Sequence, residues 1–137
     1  SGGGSLAAMA FGTDSPTYYA RANDETLVII QMEHIRAVER ADEILRVPGI
    51  DAVFIGPTDL SASMGKRPSG EAEDPEVQEA IRHIRTVAAR HGVASGIHVF
   101  SAEAVAQRVQ EGFRFIALGT DVRFMTGAAK AALARVR

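Results

Sequence analysis

Acidic and amide side chains follow two apolar segments that are predicted to be neighbouring strands. Gln31 and Glu33 lie at the end of the first segment, and Asp59 follows the second. Parallel strands lie about 4.8 Å apart, so carboxylates at adjacent strand ends converge on one point. Two like charges that close are costly unless a cation lies between them, and hard divalent ions such as Mg²⁺ and Mn²⁺ take such oxygen ligands. The pattern favours a metal site at Glu33 and Asp59; the alternative is that each carboxylate only caps the helix that follows it.

Two further features flank these carboxylates. Gln31 lies two residues before Glu33, so both side chains leave the strand on the same face, and the Gln31 amide can donate to a substrate oxygen. A hydrogen-bonded polar residue of the core is the more common role of such a glutamine. The turn Gly56-Pro57-Thr58 lets backbone N–H groups approach a small anion just before Asp59, or it is an ordinary loop between a strand and a helix.

The histidines and the last aspartate are weaker candidates. His98 lies inside an apolar segment and faces either the site or the outer helices, and a structural role is the more common one. His34 is expected to begin the helix after the first strand, whereas His83 and His91 are expected to be solvated on a later helix. Asp121 is expected to be the N-cap of the last helix. The sequence contains no Gly-rich dinucleotide fingerprint, Walker loop or nucleophile elbow.

The elements that position these residues alternate along the chain. Helical patterns cover residues 16–23, the three stretches between the strands, and residues 122–137, and Pro48-Gly49, Gly92 and Gly112 end the internal helices. Four mostly apolar segments are typical of buried parallel strands: 27–32, 52–55, 93–100 and 113–118. The order of elements predicts parallel β/α units, as a small open sheet or as half of an eight-unit barrel, with functional groups at the carboxyl ends of the strands.

Composition excludes several classes of protein. The 137 residues are 46% hydrophobic and 23% charged, with a net charge of −2 and no cysteine. These values rule out a disordered chain, a disulfide scaffold and a zinc–thiolate site, and they make nucleic acid an unexpected partner. No apolar run approaches the roughly 20 residues that span a bilayer, and no secretory leader is recognisable, so a cytoplasmic protein is expected. The first five residues, Ser1-Gly2-Gly3-Gly4-Ser5, are either an added linker or a natural Gly-rich loop.

The stretch Val47-Pro48-Gly49-Ile50-Asp51-Ala52-Val53-Phe54-Ile55-Gly56-Pro57-Thr58-Asp59-Leu60-Ser61, together with Gln31-Met32-Glu33, resembles the metal-dependent class II pyruvate aldolase family. That family includes the 4-hydroxy-2-oxoheptanedioate and 2-dehydro-3-deoxyglucarate aldolases. Three other stretches fit the same pattern in order: Tyr18-Tyr19-Ala20-Arg21-Ala22-Asn23, Asp74-Pro75-Glu76-Val77 and Phe115-Ile116-Ala117-Leu118-Gly119-Thr120-Asp121. The resemblance covers nearly the whole chain.

The resemblance implies a fold and a set of site residues. The family fold is a (β/α)8 TIM barrel of the phosphoenolpyruvate/pyruvate superfamily, and this chain resembles its C-terminal half, strands five to eight. Residues 1–14 are then a Gly-rich loop and lead-in, and residues 15–137 the half-barrel of a cut or split chain. The residues that match the family's metal-binding carboxylates are Glu33 and Asp59, with Mg²⁺ or Mn²⁺ expected and Co²⁺ as a further option. The implied substrate-binding residues are Gln31, Gly56, Pro57, Thr58, Asp59 and His98.

The implied reaction is the reversible cleavage of a 4-hydroxy-2-oxo acid to pyruvate and an aldehyde. The family's catalytic histidine, its acidic partner and its substrate-binding arginine belong to the first half, so no catalytic residue is expected in this chain. A complementary N-terminal half and a homo-oligomer are implied partners; the family commonly forms hexamers, with residues 122–137 as an exchange element. The alternatives are a non-catalytic half-barrel and an acyl-CoA lyase of the same superfamily. No lysine follows a strand at the expected depth, which disfavours a Schiff-base aldolase.

A half-barrel has a further structural consequence. Its first and last strands, 27–32 and 113–118, are expected to be exposed edges that a complete barrel would pair. Apolar side chains of the barrel interior, such as those of Ala52–Ile55, are also expected to be exposed. The chain alone is therefore expected to be neither active nor a self-sufficient fold.

Overall fold

A four-stranded parallel sheet organises the chain. The computed structural model describes residue 10 and residues 12–136, so the expectations for residues 1–5 and for most of the lead-in lie outside the described residues. The strands are β1 (Ile29–Met32), β2 (Ala52–Ile55), β3 (Ala94–Val99) and β4 (Phe115–Leu118). Their spatial order is β1-β2-β3-β4 with every neighbouring pair parallel. The predicted α/β class and the four strands are confirmed, with each strand shorter than or equal to its apolar segment.

Helices separate the strands along the chain. The described helices are α1 (Ser15–Glu25), α2 (Ile35–Glu39), α3 (Ala41–Leu45), α4 (Pro57–Ser63), α5 (Pro75–Arg90), α6 (Ala102–Gln110) and α7 (Asp121–Ala134). The single helix expected between the first two strands is two short helices, because Arg40 leaves the helical region at φ −108° and ψ 18°. Helix α4 begins within the stretch that was predicted as a turn, and it carries Asp59 in its first turn.

Side chains that cap the helices fix where they start. Asp74 accepts from the Glu76 N–H at 2.9 Å and Ser101 from the Ala104 N–H at 3.1 Å, which confirms both predicted N-caps. His34 begins α2 as expected, since its Nδ1 accepts from the Arg36 N–H. The prediction for Asp121 is wrong by one residue. Thr120 is the N-cap of α7, and its hydroxyl is the acceptor that satisfies a free N–H of the first turn.

The hydrophobic core lies between one face of the sheet and the helices. Met32, Val53, Ile55, Ile97 and Val99 alternate along β1, β2 and β3 and are at most 1% exposed. Helix α5 covers this face with residues spaced three or four apart, which form one stripe of the helix: Val77, Ile81, Ile84 and Ala88. Burying one such aliphatic side chain contributes about 1.5–3 kcal/mol, so this layer supplies most of the stability of the sheet.

The opposite face of the sheet carries a different row of residues. The register aligns Gln31, Phe54, Gly96 and Phe115 across the four strands. The rings of Phe54 and Phe115 approach to 5.1 Å between centroids. A β-carbon on Gly96 would lie 2.6 Å from the Phe115 ring and 2.9 Å from the Phe54 ring. Only glycine at this position lets the two rings meet over the central part of the sheet.

The exposed apolar residues lie on the edge strands rather than in the middle of the sheet. The expectation that Ala52–Ile55 is exposed is wrong for three of its residues, because Val53 and Ile55 are fully buried and Ala52 is only 8% exposed. Phe54, on the face away from the helices, is half-buried. Strand β2 lies between β1 and β3, so its neighbours and the helices cover it. The two predicted edges are confirmed: Ile29 of β1 and Phe115 and Leu118 of β4 are each more than 40% exposed.

Helix α7 is the least covered of the described elements. None of its residues is buried, and Val122, Phe124, Met125 and Leu133 are each more than half exposed. Among the described residues, no helix combines the length and the apolar character that crossing a bilayer requires.

Candidate functional site

The side chain of Gln31 orients Glu33 at the carboxyl end of β1. Gln31 Nε2 donates to Glu33 Oε2 at 2.7 Å, and the two residues share one face of the strand. A carboxylate only accepts hydrogen bonds, so the amide nitrogen of Gln31 must face it. Gln31 is exposed and Glu33 half-buried. The second amide proton of Gln31 and the other oxygen of Glu33 remain open to a ligand.

Gly56 provides the space in which the Glu33 carboxylate lies. The β1–β2 register pairs Met32 with Ile55, so Glu33 and Gly56 are the next neighbours across the strands. A β-carbon on Gly56 would lie 2.5 Å from Glu33 Oε2 and 3.6 Å from Gln31 Nε2. Gly56 has an ordinary φ of −101°, so the requirement for glycine here is space and not backbone conformation.

Asp59 lies in the first turn of α4, directly after β2. The helix begins at Pro57, which fixes φ and needs no hydrogen-bond acceptor, and Thr58 follows it half-buried. The Asp59 side chain is exposed and forms no hydrogen bond or ion pair with any residue in the described part of the chain. A carboxylate in the first turn is favoured by the helix dipole, which accounts for its position but leaves both its oxygens unpaired.

A hydrogen-bond relay ties the segment after Glu33 to the helix that carries Asp59. The Ile35 N–H donates to Ser63 Oγ at 3.0 Å, and Ser63 Oγ donates to the Leu60 carbonyl at 2.8 Å. Leu60 is fully buried and anchors α4 in the core. The two carboxylates are therefore held by elements that cannot shift independently.

The donor set fits a hard divalent cation. Glu33 and Asp59 supply carboxylate oxygens that have no cationic partner among the described residues, and Gly56 leaves the space that the Glu33 carboxylate occupies. Among residues 12–136, no group of three or more histidine, aspartate or glutamate side chains is placed to hold a metal. Any ion here would take its other ligands from water, substrate or a second segment.

His98, Phe100 and Arg123 form a cluster at the carboxyl ends of β3 and β4. The His98 Nε2 lies 2.8 Å from the Gly119 carbonyl oxygen, so Nε2 carries the proton and donates. The centroids of the His98 and Phe100 rings are 4.4 Å apart, and the guanidinium carbon of Arg123 lies 4.5 Å from the centroid of the Phe100 ring. The cation–π contact fixes an exposed arginine that has no acidic partner in the described residues.

The loop between α4 and α5, residues 64–74, is anchored beside this cluster. Lys66 pairs with Glu76 at 2.9 Å and with Asp74 at 3.5 Å. The side-chain hydrogen bond to Glu76 raises the pKa of Lys66, and the Glu76 N–H lowers the pKa of Asp74. A β-carbon on Gly70 would collide with the ring of Phe100, so the loop backbone packs directly on that ring.

The structure brings some of the predicted site residues together and separates others. Gln31, Glu33 and Gly56 are in contact, and Asp59 follows Gly56 on α4. Because Phe54 pairs with Gly96, His98 is the neighbour of Gly56 on the same face of the sheet, two strands from Glu33 and away from the outer helices. His83 is exposed, and His91 is exposed with Nε2 3.0 Å from Asp42 Oδ1.

Sequence reasoning missed Phe100 and Arg123. Their contact joins residues 23 positions apart on different β/α units, and neither belongs to a motif. One signal was available: Arg123 is a cation in the first turn of α7, where the helix dipole disfavours positive charge. A cation at such a position needs a compensating contact, which Phe100 supplies.

An α/β chain with a parallel sheet and acidic side chains after two neighbouring strands is typical of metal-dependent enzymes. The HpcH/HpaI aldolase/citrate lyase family matches residues 5–128. The chain belongs to this family.

Individual relatives agree with the family match. The chain is 38% identical over 120 residues to the hydroxypyruvate/pyruvate aldolase of Paraburkholderia phytofirmans, covering 88% of this chain and 45% of the relative. It is 37% identical over 133 residues to the 4-hydroxy-2-oxo-heptane-1,7-dioate aldolase of Escherichia coli, covering 97% of this chain and 50% of the relative. A solved HpcH/HpaI aldolase/citrate lyase family protein from Burkholderia cenocepacia superposes with a TM-score of 0.81 at 34% identity, over 88% of this chain and 46% of that one. The chain thus spans about half the length of the relatives it matches.

Proposed function

We propose that this chain is the C-terminal half of a (β/α)8 barrel and supplies the metal and pyruvate site of a class II pyruvate aldolase. The observation that carries the proposal is the Glu33 carboxylate, held by Gln31 over Gly56 at the end of β1, with Asp59 in the helix that follows the neighbouring strand. The match to the aldolase family and the aldolase names of its relatives support the same reaction class. The substrate is a 4-hydroxy-2-oxo acid, cleaved to pyruvate and an aldehyde.

Glu33 and Asp59 are the residues that would hold a divalent ion, Mg²⁺ or Mn²⁺. Bound there, such an ion acts as a Lewis acid for the negative charge that develops on the oxygen atoms of the pyruvate part as the carbon–carbon bond breaks. Gln31 has a separate task. With one amide proton on Glu33, its other proton can donate to an oxygen of the substrate. Its hydrogen bond to Glu33 also orients that carboxylate.

The first turn of α4 orients the carboxylate end of pyruvate. Gly56, its N-cap, has no side chain that could accept from the free N–H groups of that turn. The backbone N–H of Thr58 is therefore open to a carboxylate oxygen of the substrate. The Thr58 side chain is not needed for this contact.

The base that accepts the C4 hydroxyl proton and an arginine for the substrate belong to the N-terminal half. The exposed edges β1 and β4, with Ile29, Phe115 and Leu118 more than 40% exposed, are the surfaces that half would pair. Relatives of about twice the length support this division. The uncovered helix α7 is the element through which neighbouring copies of the protein would associate.

The experiment compares the chain alone with the assembled barrel, meaning this chain together with the N-terminal half that completes it. Pyruvate release from a 4-hydroxy-2-oxo acid is followed with Mn²⁺ and with excess EDTA. Activity is expected only in the assembled barrel with metal, and it is lost in Glu33→Gln but kept in Glu39→Gln, an exposed carboxylate elsewhere. An assembled barrel that binds Mn²⁺ without forming pyruvate would instead identify a non-catalytic half-barrel. Activity of the isolated chain would refute the division of roles.

A further inference from the structure

Arg123 is a fixed cation with unused hydrogen-bond donors. Its guanidinium lies 4.5 Å from the centroid of the Phe100 ring, and its side chain forms no hydrogen bond or ion pair with any described residue. A cation–π contact uses the charge of the guanidinium and not a hydrogen bond to a side-chain acceptor, so its N–H donors are available to a ligand. Asp121, the nearest acid along the chain, accepts from the backbone N–H of Val122 instead.

The cluster lies on the same face and edge of the sheet as the carboxylates. Glu33, Gly56 and His98 are successive neighbours across β1, β2 and β3, so His98 lies about 10 Å from Glu33, two strand spacings away. Phe100 links His98 to Arg123. A substrate whose pyruvate part lies beside Glu33 and whose aldehyde part is directed along this row would extend toward His98 and Arg123.

Packing around Phe100 makes this an ordered site. The loop of residues 64–74 contacts the ring at Gly70, and Ser101 Oγ donates to Glu71 at 3.4 Å beside it. His98 is fixed by its hydrogen bond to the Gly119 carbonyl. Residues of β3, the carbonyl after β4 and this loop thus hold the Phe100 ring and His98 in place. Arg123 therefore packs on an ordered ring, which favours a selective binding site.

We propose that Arg123, seated on Phe100, binds an anionic group, carboxylate or phosphate, at the far end of the aldehyde part of the substrate. This inference rests on the proposed aldolase function and adds a specificity residue to it. Arginine binds both anions through paired N–H donors, whereas a neutral aldehyde has no anionic group at its far end to pair with it. Arg123 on α7 and Phe100 after β3 would then set the preference for an anionic aldehyde, whereas other residues bind the metal and pyruvate.

The test uses the assembled barrel with Mn²⁺ and pyruvate in the direction of aldol addition. Two aldehyde pairs separate the sources of charge: succinic semialdehyde against butanal, and glyceraldehyde 3-phosphate against glyceraldehyde. In Arg123→Met, kcat/KM for the preferred anionic aldehyde is expected to fall roughly 10- to 100-fold, the loss typical of a hydrogen bond between charged groups. Values for both neutral aldehydes should stay within about twofold, and Arg123→Lys should recover part of the loss.

A second exposed arginine, Arg114, provides the control. Arg114→Met removes an exposed arginine without a described partner at the amino end of β4, and it should leave all four aldehydes unchanged. Equal losses for charged and neutral aldehydes, or no loss, would overturn the role of Arg123. If the wild-type barrel makes no aldol product, the proposed function fails. Calorimetric binding of succinate and of inorganic phosphate then tests the anion site at Arg123 by itself. Weaker binding in Arg123→Met supports the anion site, and unchanged binding refutes it.

Discussion

Glu33 Oε2 lies 2.5 Å from the point that a β-carbon on Gly56 would occupy. The contact joins the ends of β1 and β2, and it makes the smallest residue of the loop a requirement of the acidic site. The same carboxylate accepts from Gln31, so its position is fixed from two sides. A metal site built this way depends on Gly56 as much as on its ligands.

Gly56→Ala should therefore weaken metal binding without removing a ligand. The added methyl group must push the Glu33 carboxylate away, and Mn²⁺ affinity in calorimetry is expected to fall by about tenfold or more, as for other residues that orient metal ligands. Gly127→Ala is the matched control, since nothing lies within 4 Å of a β-carbon there. That variant should keep its Mn²⁺ affinity and gain about 0.5–1 kcal/mol of helix stability. Equal affinities in both variants would contradict the close contact.

Gln31→Ala should weaken oxalate binding more than metal binding. Oxalate resembles the enolate form of pyruvate, and the variant loses the donor to its oxygen while Glu33 and Asp59 remain. Calorimetry with Mn²⁺ alone and then with oxalate separates the two effects. Thr58→Ala should be mild, because the expected contact is the backbone N–H, and exposed Gln110→Ala should have no effect. Unchanged oxalate affinity in Gln31→Ala removes this glutamine from the site.

The ion pair of Arg108 and Glu111 should make the free energy of unfolding of the assembled barrel depend on pH in the acidic range. Arg108 is 3% exposed and lies 2.7 Å from Glu111 and 3.0 Å from Gln78. Partial burial raises the pKa of Glu111, but hydrogen bonds from Arg108 and Gln107 outweigh it and hold the pKa below its usual value. A carboxyl with a lowered folded-state pKa stabilises the fold above its unfolded pKa, about 4.3, and loses this contribution as pH falls through the folded value.

Glu111→Gln should accordingly be about 1–2 kcal/mol less stable than the wild type at pH 7. The difference should shrink below pH 4 as the wild-type carboxyl becomes protonated. Urea unfolding at several pH values measures both. Glu79→Gln, which breaks the exposed pair with Arg82, should cost at most about 0.5 kcal/mol. A Glu111→Gln difference that does not change with pH would show that the Arg108–Glu111 pair is not responsible.

Association through α7 gives a further prediction. Met125 and Leu133 are each 67% exposed on a helix without a buried residue, and the family resemblance implies that this segment packs on a neighbouring copy. Met125→Glu and Leu133→Glu together should reduce the mass of the assembled protein in light scattering. Lys130→Glu on the same helix is the control for charge. Oligomers of unchanged mass in the double variant would exclude α7 as the interface.

The strands were predictable because they depend on short-range patterns. Parallel strands carry continuous apolar runs, and their carboxyl ends meet at one edge, so Glu33 and Asp59 could be assigned to that edge from spacing alone. That the two carboxylates share an ion stays a prediction. Helix α4 was missed because its N-cap, Gly56, has no side chain to signal a start. The break at Arg40 was missed because Ile35, Val38, Ile44 and Leu45 keep helical spacing across it.

Other features depend on contacts between distant segments. The expected exposure of β2 was wrong for Ala52, Val53 and Ile55 because β2 is a central strand, and burial depends on the neighbours of a strand as well as on its own residues. The requirement for Gly56 and the seat of Arg123 on Phe100 arise where side chains from separate strands and helices meet. No periodicity or motif in the sequence predicts contacts of this kind.

The most direct test of the account is a crystal structure of the assembled barrel grown with Mn²⁺ and oxalate, with anomalous diffraction to locate the metal. The account predicts one Mn²⁺ bound by Glu33 and Asp59 at about 2.0–2.2 Å from their oxygens, with oxalate on the side of Gln31. An ion bound elsewhere, or these two carboxylates more than about 6 Å apart with the ion present, would contradict it.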